Sequence, residues 1–326
     1  MSSDLRKLII NEPDLDGFDL EKATIVPLSH SGVNSNIHIV NTNDRRLILK
    51  KFRTLSDGER SRYDAENFAL DFFEKYNIRF VPQKVFSSRK SNFILMTFIE
   101  GVKPDVFSSQ IANQAIEFLH MIHTASLDLN LSNPIYATEA FLSAKELYQQ
   151  IDNRIDNFYT NIPDQSPIIS FLRYQLEPFY KRLRGITSGK ILDQKIDISH
   201  MTFSVVDFGL NNYILDKDNL LNFIDFEFSG MDDPVKLVSD TLFHPANNLS
   251  VEDIKKYQPL FCKIFQDTDP SFESRFESFY LFFGVKWCLI MLKHFLRSKK
   301  VEIYENDDLM QLRRTKERLS ILEELC

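Results

Sequence analysis

A short β-hairpin interrupts the helical half of this chain. It runs Tyr213 to Leu215, a polar turn over Asp216 to Asn219, then Leu220 to Ile224. Asn212 immediately precedes the first strand and Asp225 immediately follows the second; Asp207 stands five residues before Asn212. A hairpin holds its two ends side by side on rigid backbone, so Asn212 and Asp225 must come together in any fold that keeps it. An amide oxygen and a carboxylate placed in this way suit a hard cation such as Mg²⁺. A carboxylate just upstream suits a different task, orienting a hydroxyl and accepting its proton.

The rest of the chain divides around residue 100. The first hundred residues read as strands and one helix: a strand within Ala23 to Leu28, a hairpin of Asn36 to Asn41 and Arg45 to Phe52 turning at Thr42-Asn43-Asp44, and strands at Val85-Phe86 and Phe93 to Phe98. Ser56-Asp57 offers an N-cap for a helix reaching about Tyr76, with Phe68, Phe72 and Phe73 at helical spacing. Ile99-Glu100-Gly101, with Pro104 soon after, reads as a break. Beyond it Ile111 to Thr124, Thr138 to Phe158 and Pro167 to Leu183 read as helices, and helices dominate again from Pro234. The expected architecture is α+β and two-lobed, with a small antiparallel N-lobe over residues 1–97, a hinge at 98–101, and a larger helical C-lobe over 102–326 that holds the hairpin. A ligand cleft between such lobes is the expected site.

Composition narrows the function classes. The chain has 326 residues, a net charge of -7 and 43% hydrophobic residues. A mildly acidic protein lacks the basic footprint of nucleic-acid binders, so no nucleic-acid partner is expected. Its three cysteines, Cys262, Cys288 and Cys326, are far apart and form no metal or disulfide pattern. That fits a reducing, cytoplasmic compartment. Met1 to Asp19 has no long apolar core, so no signal peptide is expected. Phe279 to Leu296 is the most apolar stretch, but it contains Lys286, Lys293 and His294 and reads as a buried core helix rather than a membrane span.

The order and spacing of Asp207, Asn212 and Asp225 resemble the catalytic Asp, metal-binding Asn and later metal-binding Asp of protein kinases. Asp207-Phe208-Gly209 spells the tripeptide that marks the second metal ligand there, yet that assignment fails: the residue thirteen before Asp207 is Gln194, not Asn. Ser204-Val-Val-Asp-Phe-Gly-Leu-Asn-Asn212, Ile224-Asp-Phe-Glu227 and Asp232-Asp-Pro-Val-Lys-Leu-Val-Ser-Asp240 are similar to motifs of the aminoglycoside/choline-kinase-like phosphotransferases. They are especially similar to a bacterial branch with S-x-S-D-F-G-x-H-N, I-D-F-E and D-D-P-x-K-L-x-x-D. The resemblance extends from about residue 23 to the end and includes Lys286-Trp287-Cys288. It departs from the pattern at Asn211, where that branch has His, and at Val205, where many kinases have His two residues before the catalytic Asp.

The resemblance implies a site. Asp207 would be the base, and Asn212 and Asp225 would hold Mg²⁺. The loop Ser29-His-Ser-Gly-Val-Asn-Ser-Asn36 resembles a phosphate-covering loop, with Gly32 and Ser35 its binding residues. Lys50 ends an apolar strand like the lysine that pairs the α- and β-phosphates, with Lys51 the alternative; Glu66 is its expected partner, with Glu59 the alternative. The backbone at Phe98-Ile99 would read the adenine edge, and Ile25, Ile48 and Met96 would pack the base. Glu227 is a candidate for substrate or metal, Asp233 for bracing the catalytic loop, His123 for a buried structural group near it, and Lys286 and Trp287 for the acceptor pocket. The implied activity is transfer of the γ-phosphate of ATP, or GTP, to a hydroxyl of a small polar molecule: an aminoglycoside, an amino alcohol or a sugar. A protein kinase and an inactive nucleotide-binding scaffold are the alternatives. The first is disfavoured because Asp233-Pro234 comes only eight residues after Asp225 and leaves no room for an activation loop. The second is disfavoured because each expected role has a residue to fill it. No membrane partner is expected, and the acceptor and oligomeric state stay open.

Overall fold

The computed structural model describes residues 23–28, 35–53, 60–129, 132–187, 195–297 and 306–326. It divides into two compact units, Met1–Pro104 with Asn212–Gly230, and Asp105–Asn211 with Met231–Cys326.

In the first unit, strands β1 (Thr24–Pro27), β2 (Ser35–Asn41), β3 (Arg46–Phe52), β4 (Lys84–Ser88) and β5 (Phe93–Thr97) form an antiparallel sheet in the order β1-β2-β3-β5-β4. Strand alternation sorts β3 between two faces. Leu47 and Leu49 join Val40, Phe93 and Leu95 in a buried cluster, which sends Ile48 and Lys50 the other way. Helix α1 (Arg62–Lys75) buries Ala65, Ala69, Phe72 and Phe73. Its N-cap is Ser61, whose hydroxyl accepts from the Asp64 amide at 3.1 Å; the expected cap at Ser56-Asp57 lies outside the described residues.

The hairpin Tyr213–Leu215 with Leu221–Phe223 belongs to this first unit, although its sequence position groups it with the helical half. Its backbone bonds account for that. Val102 and Leu215 exchange N–H···O bonds of 2.9 and 2.8 Å, and Phe223 N–H donates to Phe80 O at 2.8 Å. Gly101 permits this approach, because a Cβ there would lie 2.1 Å from the Leu215 carbonyl oxygen.

The second unit is helical: α2 (Ser109–Ser126), α3 (Ala144–Asn161), α4 (Pro167–Phe171) continuing through a π-turn into α5 (Glu177–Thr187), α6 (Pro234–Phe243), α7 (Val251–Gln266), α8 (Phe272–Leu292), α9 (His294–Arg297) and α10 (Asn306–Leu325). Helix α3 starts later than the expected Thr138. Ser143 caps it, and the preceding segment is tied elsewhere, with the Phe141 amide donating to Asp232 at 2.7 Å. The apolar segment Phe272–Leu296 is long enough to span a membrane by length and composition, yet 61% of its most apolar window is buried inside the structure. Phe279 and Phe283 meet Phe141 edge-on, and Gly284 lets Leu322 of α10 pack directly on the α8 backbone.

Candidate active site

In the first unit the chemistry converges on Lys50. The pleat of β3 turns its ammonium away from the apolar cluster, where it is 3% exposed. It meets Glu66 of α1 at 2.7 Å, Asp225 at 2.6 Å and Glu227 at 3.2 Å. The sequence alternatives thereby separate: Lys51 bonds instead to the carbonyl of Ser91, and Glu59 lies outside the described residues. Burial opposes the Lys50 charge, but Asp225, Glu66 and Glu227 outweigh it and push its pKa up. Glu66 moves up as well, driven first by burial and only partly held back by Lys50. A single ammonium cannot neutralise three carboxylates; Arg62, 3.8 Å from Glu227, supplies a second cation and still leaves carboxylates in excess.

Backbone geometry brings the hairpin ends together. Ile224 N–H donates to the Asn212 carbonyl at 3.0 Å, so Asn212 lies beside the residue that precedes Asp225. Asp225 has φ 70°, a left-handed conformation that Asp tolerates better than most residues. Ser35 opens β2 and is buried, while Gly32 lies outside the described residues. Phe98 and Ile99 follow β5 half-buried; the Phe98 ring carries the Arg46 guanidinium 4.4 Å from its centroid. Ile48 and Met96 sit opposite one another on β3 and β5.

The second unit holds Asp207, also left-handed at φ 63°. Its Oδ1 lies 2.9 Å from Nε2 of His244, and its Oδ2 lies 3.5 Å from Nδ2 of Asn211. His244 follows α6 and is absent from every sequence motif. The ring packs edge-on to Trp287 with centroids 4.6 Å apart, and Trp287 donates its indole N–H to Asp240 at 2.9 Å. Asp232, Asp233, Lys236 and Asp240 form a buried frame. Lys236 lies 3.1 and 3.2 Å from Asp232 and Asp240. Asp233 accepts from the Val235 amide at 2.8 Å as N-cap of α6 and pairs with Arg275 at 2.8 Å. Burial nevertheless pushes the Asp233 carboxyl up to about 6. Lys286 is bound to Glu139 at 2.9 Å and Gln150 at 2.7 Å. His123 sits between Thr202 and Thr268, and burial takes its pKa down to about 4.

No family model matches the chain, and no curated protein matches it. Solved structures do. A choline kinase from Cryptosporidium parvum Iowa II aligns over 100% of this chain and 96% of its own at 14% identity, with a TM-score of 0.64. A choline/ethanolamine kinase family protein from Mesorhizobium loti aligns over 99% and 100% at 14% identity and a TM-score of 0.60. A thermostable aminoglycoside phosphotransferase mutant, in ternary complex with AMP-PNP and hygromycin B, aligns over 98% of each chain at 11% identity and a TM-score of 0.60. With coverage this complete, the chain has the protein-kinase-like fold shared by the choline kinase and aminoglycoside phosphotransferase structures.

Proposed function

We propose that this chain is an ATP-dependent small-molecule kinase, transferring the γ-phosphate to a hydroxyl of an amino alcohol, an aminoglycoside or a sugar. The observation that carries the reading is the Lys50 cluster. A strand lysine is gripped both by a helix glutamate 16 residues away and by a hairpin-end aspartate 175 residues away. A structural role alone would favour a matched pair, because each extra buried carboxylate is costly without a counterion. The similar structures include one with AMP-PNP and hygromycin B bound together, which supports a nucleotide and a small acceptor as the two substrates.

The cluster fits a divalent cation. Carboxylate oxygens of Glu66, Asp225 and Glu227 lie within 4.8 Å of one another, and they are hard donors in net negative surroundings. Asp225 and Asn212 would hold Mg²⁺, with Glu227 beside them, and the ion would neutralise charge on the phosphates. The protein's own groups do the rest. Lys50, held by Glu66, pairs the α- and β-phosphates; the motif resemblance assigns Gly32 and Ser35 to phosphate binding, and the backbone at Phe98 and Ile99 reads the adenine edge. Asp207 orients the acceptor hydroxyl and takes its proton as the acceptor oxygen bonds to the γ-phosphorus. The bond from that phosphorus to the bridging oxygen breaks, and ADP leaves.

Protein kinase activity is disfavoured by the short path from Asp225 to Asp233, which already caps α6. The test is ADP release and product mass with MgATP against a panel of amino alcohols, aminoglycosides and sugars. Asp207→Ala is expected to lose roughly 10²–10⁴-fold in turnover while still binding nucleotide. Asp225→Ala is expected to weaken MgATP binding. Undiminished turnover in Asp207→Ala would remove the base from the mechanism, and no turnover with any acceptor would favour a nucleotide-binding scaffold.

A further inference from the structure

The carboxylate of Asp207 needs a fixed orientation if it is to receive a proton from a bound hydroxyl, because misplacement by about an ångström costs about a hundredfold. Two residues upstream of Asp207 stands Val205, a buried aliphatic side chain with no polar group to offer. The short polar contact to Oδ1 comes from His244, 37 residues downstream, whose Nε2 lies 2.9 Å away, while Asn211 Nδ2 stands at a long 3.5 Å from Oδ2.

The tautomer follows from the opposite side of the ring. The Ala246 amide donates to Nδ1 of His244 at 3.1 Å, so Nδ1 accepts and the proton of the neutral ring sits on Nε2, facing Asp207. The contact is therefore a hydrogen bond donated to a carboxylate, a strong class. The ring has little freedom to leave. Its side chain is 5% exposed, Trp287 packs against it, and Trp287 is itself held by Asp240. Gly209 closes the remaining side, since a Cβ there would lie 2.2 Å from Nδ1.

We infer that His244 is a positioning residue for the phosphoryl-transfer base. Its Nε2–H holds Oδ1 of Asp207 and assigns Oδ2 to the acceptor hydroxyl, and Gly209 and Trp287 are required because they hold the imidazole in place. The inference rests on the reading of Asp207 as the base. It adds a role for the D-F-G glycine that has nothing to do with the metal: Gly209 makes room for the imidazole.

The experiment compares His244→Phe, which keeps an aromatic ring against Trp287 but removes the donor, with His244→Gln, which restores a side-chain N–H. Each is measured by steady-state ADP release with MgATP and the best acceptor of the panel, alongside MgATP binding and thermal unfolding. His244→Phe is expected to lose about 10- to 100-fold in kcat with the KM for ATP unchanged, and His244→Gln to regain most of that loss. Gly209→Ala, which crowds the ring without touching its chemistry, should show the same kcat loss. His244→Ala/Gly209→Ala should be no worse than His244→Ala, since both changes act through one contact. If His244→Phe does not fold, the Gly209→Ala pair decides alone. Wild-type kcat in His244→Phe, or equal loss in the Phe and Gln variants, overturns the role of His244. If Asp207→Ala is inactive in that same experiment, the reading of the base survives. Turnover that persists in Asp207→Ala, or that is absent from the wild type, removes the base itself, and the role of His244 falls with it.

Discussion

Lys50 and Asp269 show how the same ingredients, a buried charge and its partners, lead to opposite consequences. At Lys50 one cation faces Glu66, Asp225 and Glu227, and the local charge is left unbalanced. At Asp269 the donors converge on one carboxylate: it receives Arg275, which it shares with Asp233, at 2.6 Å and the Ser271 hydroxyl at 2.7 Å, with His200 Nδ1 2.5 Å away. Burial works against the Asp269 charge, but these partners outweigh it and hold the carboxyl down at about 2. A carboxyl that titrates lower in the folded than in the unfolded chain adds stability above its ordinary value of 3.8, and that stability is lost as pH falls towards the folded value. Asp269 should therefore contribute ~2 kcal/mol near neutrality that disappears between about pH 4 and pH 2. Urea unfolding across that range should show the slope in the wild type and a flatter one in Asp269→Asn, which should also be less stable at pH 7.

At the level of elements, β3 and the hairpin had to be read with their partners. Period-two alternation in Leu47-Ile-Leu-Lys50 separates Lys50 from Lys51 before any contact is known. The start of α1 was harder to place, because Ser56, Asp57 and Ser61 all offer capping oxygens. The hairpin was legible as two short strands and a turn, yet its attachment was not. Gly101 is the element-scale determinant of that attachment, since it admits the Leu215 carbonyl to the Val102 backbone. Gly101→Ala sets a methyl group against a backbone oxygen that cannot rotate aside. The substitution should destabilise the first unit by about 1–3 kcal/mol. Loss of amide-exchange protection at Val102 and Leu215, ahead of the sheet, would locate the damage; unchanged protection there would refute it.

At the scale of the whole molecule, the chain passes between its two units after Pro104, after Asn211 and after Gly230. The Lys50 cluster falls in one unit and Asp207 with His244 in the other, so the proposed nucleotide half and the proposed base belong to different compact units. A ligand that binds only the folded form stabilises it by mass action, about 2.7 kcal/mol at a hundred times its Kd. MgATP should accordingly raise the thermal transition of the wild type by several degrees. Asp225→Ala should lose most of that shift and Asp207→Ala should keep it, because only the first change touches the proposed phosphate and metal half. An equal loss in both would place nucleotide recognition elsewhere.

The local pattern of residues determined the hairpin of β2 and β3 and the helical half, and it singled out Asp207, Asn212 and Asp225 as candidates, because hairpin periodicity and fixed spacing act over a few residues and need no knowledge of the rest. It also favoured Lys50 and Glu66, through alternation and motif resemblance. Tertiary structure alone decided three things: that Glu227 joins Lys50, that the hairpin is bonded to Val102 and Phe80, and that His244 lies against Asp207. Each depends on contacts between segments far apart in the chain, and side chains such as a lone histidine after a helix carry no local signal of the carboxylate they will meet. The spacing of three residues was enough to suggest phosphoryl transfer; the histidine that lies against the first of them appears only once the chain is folded.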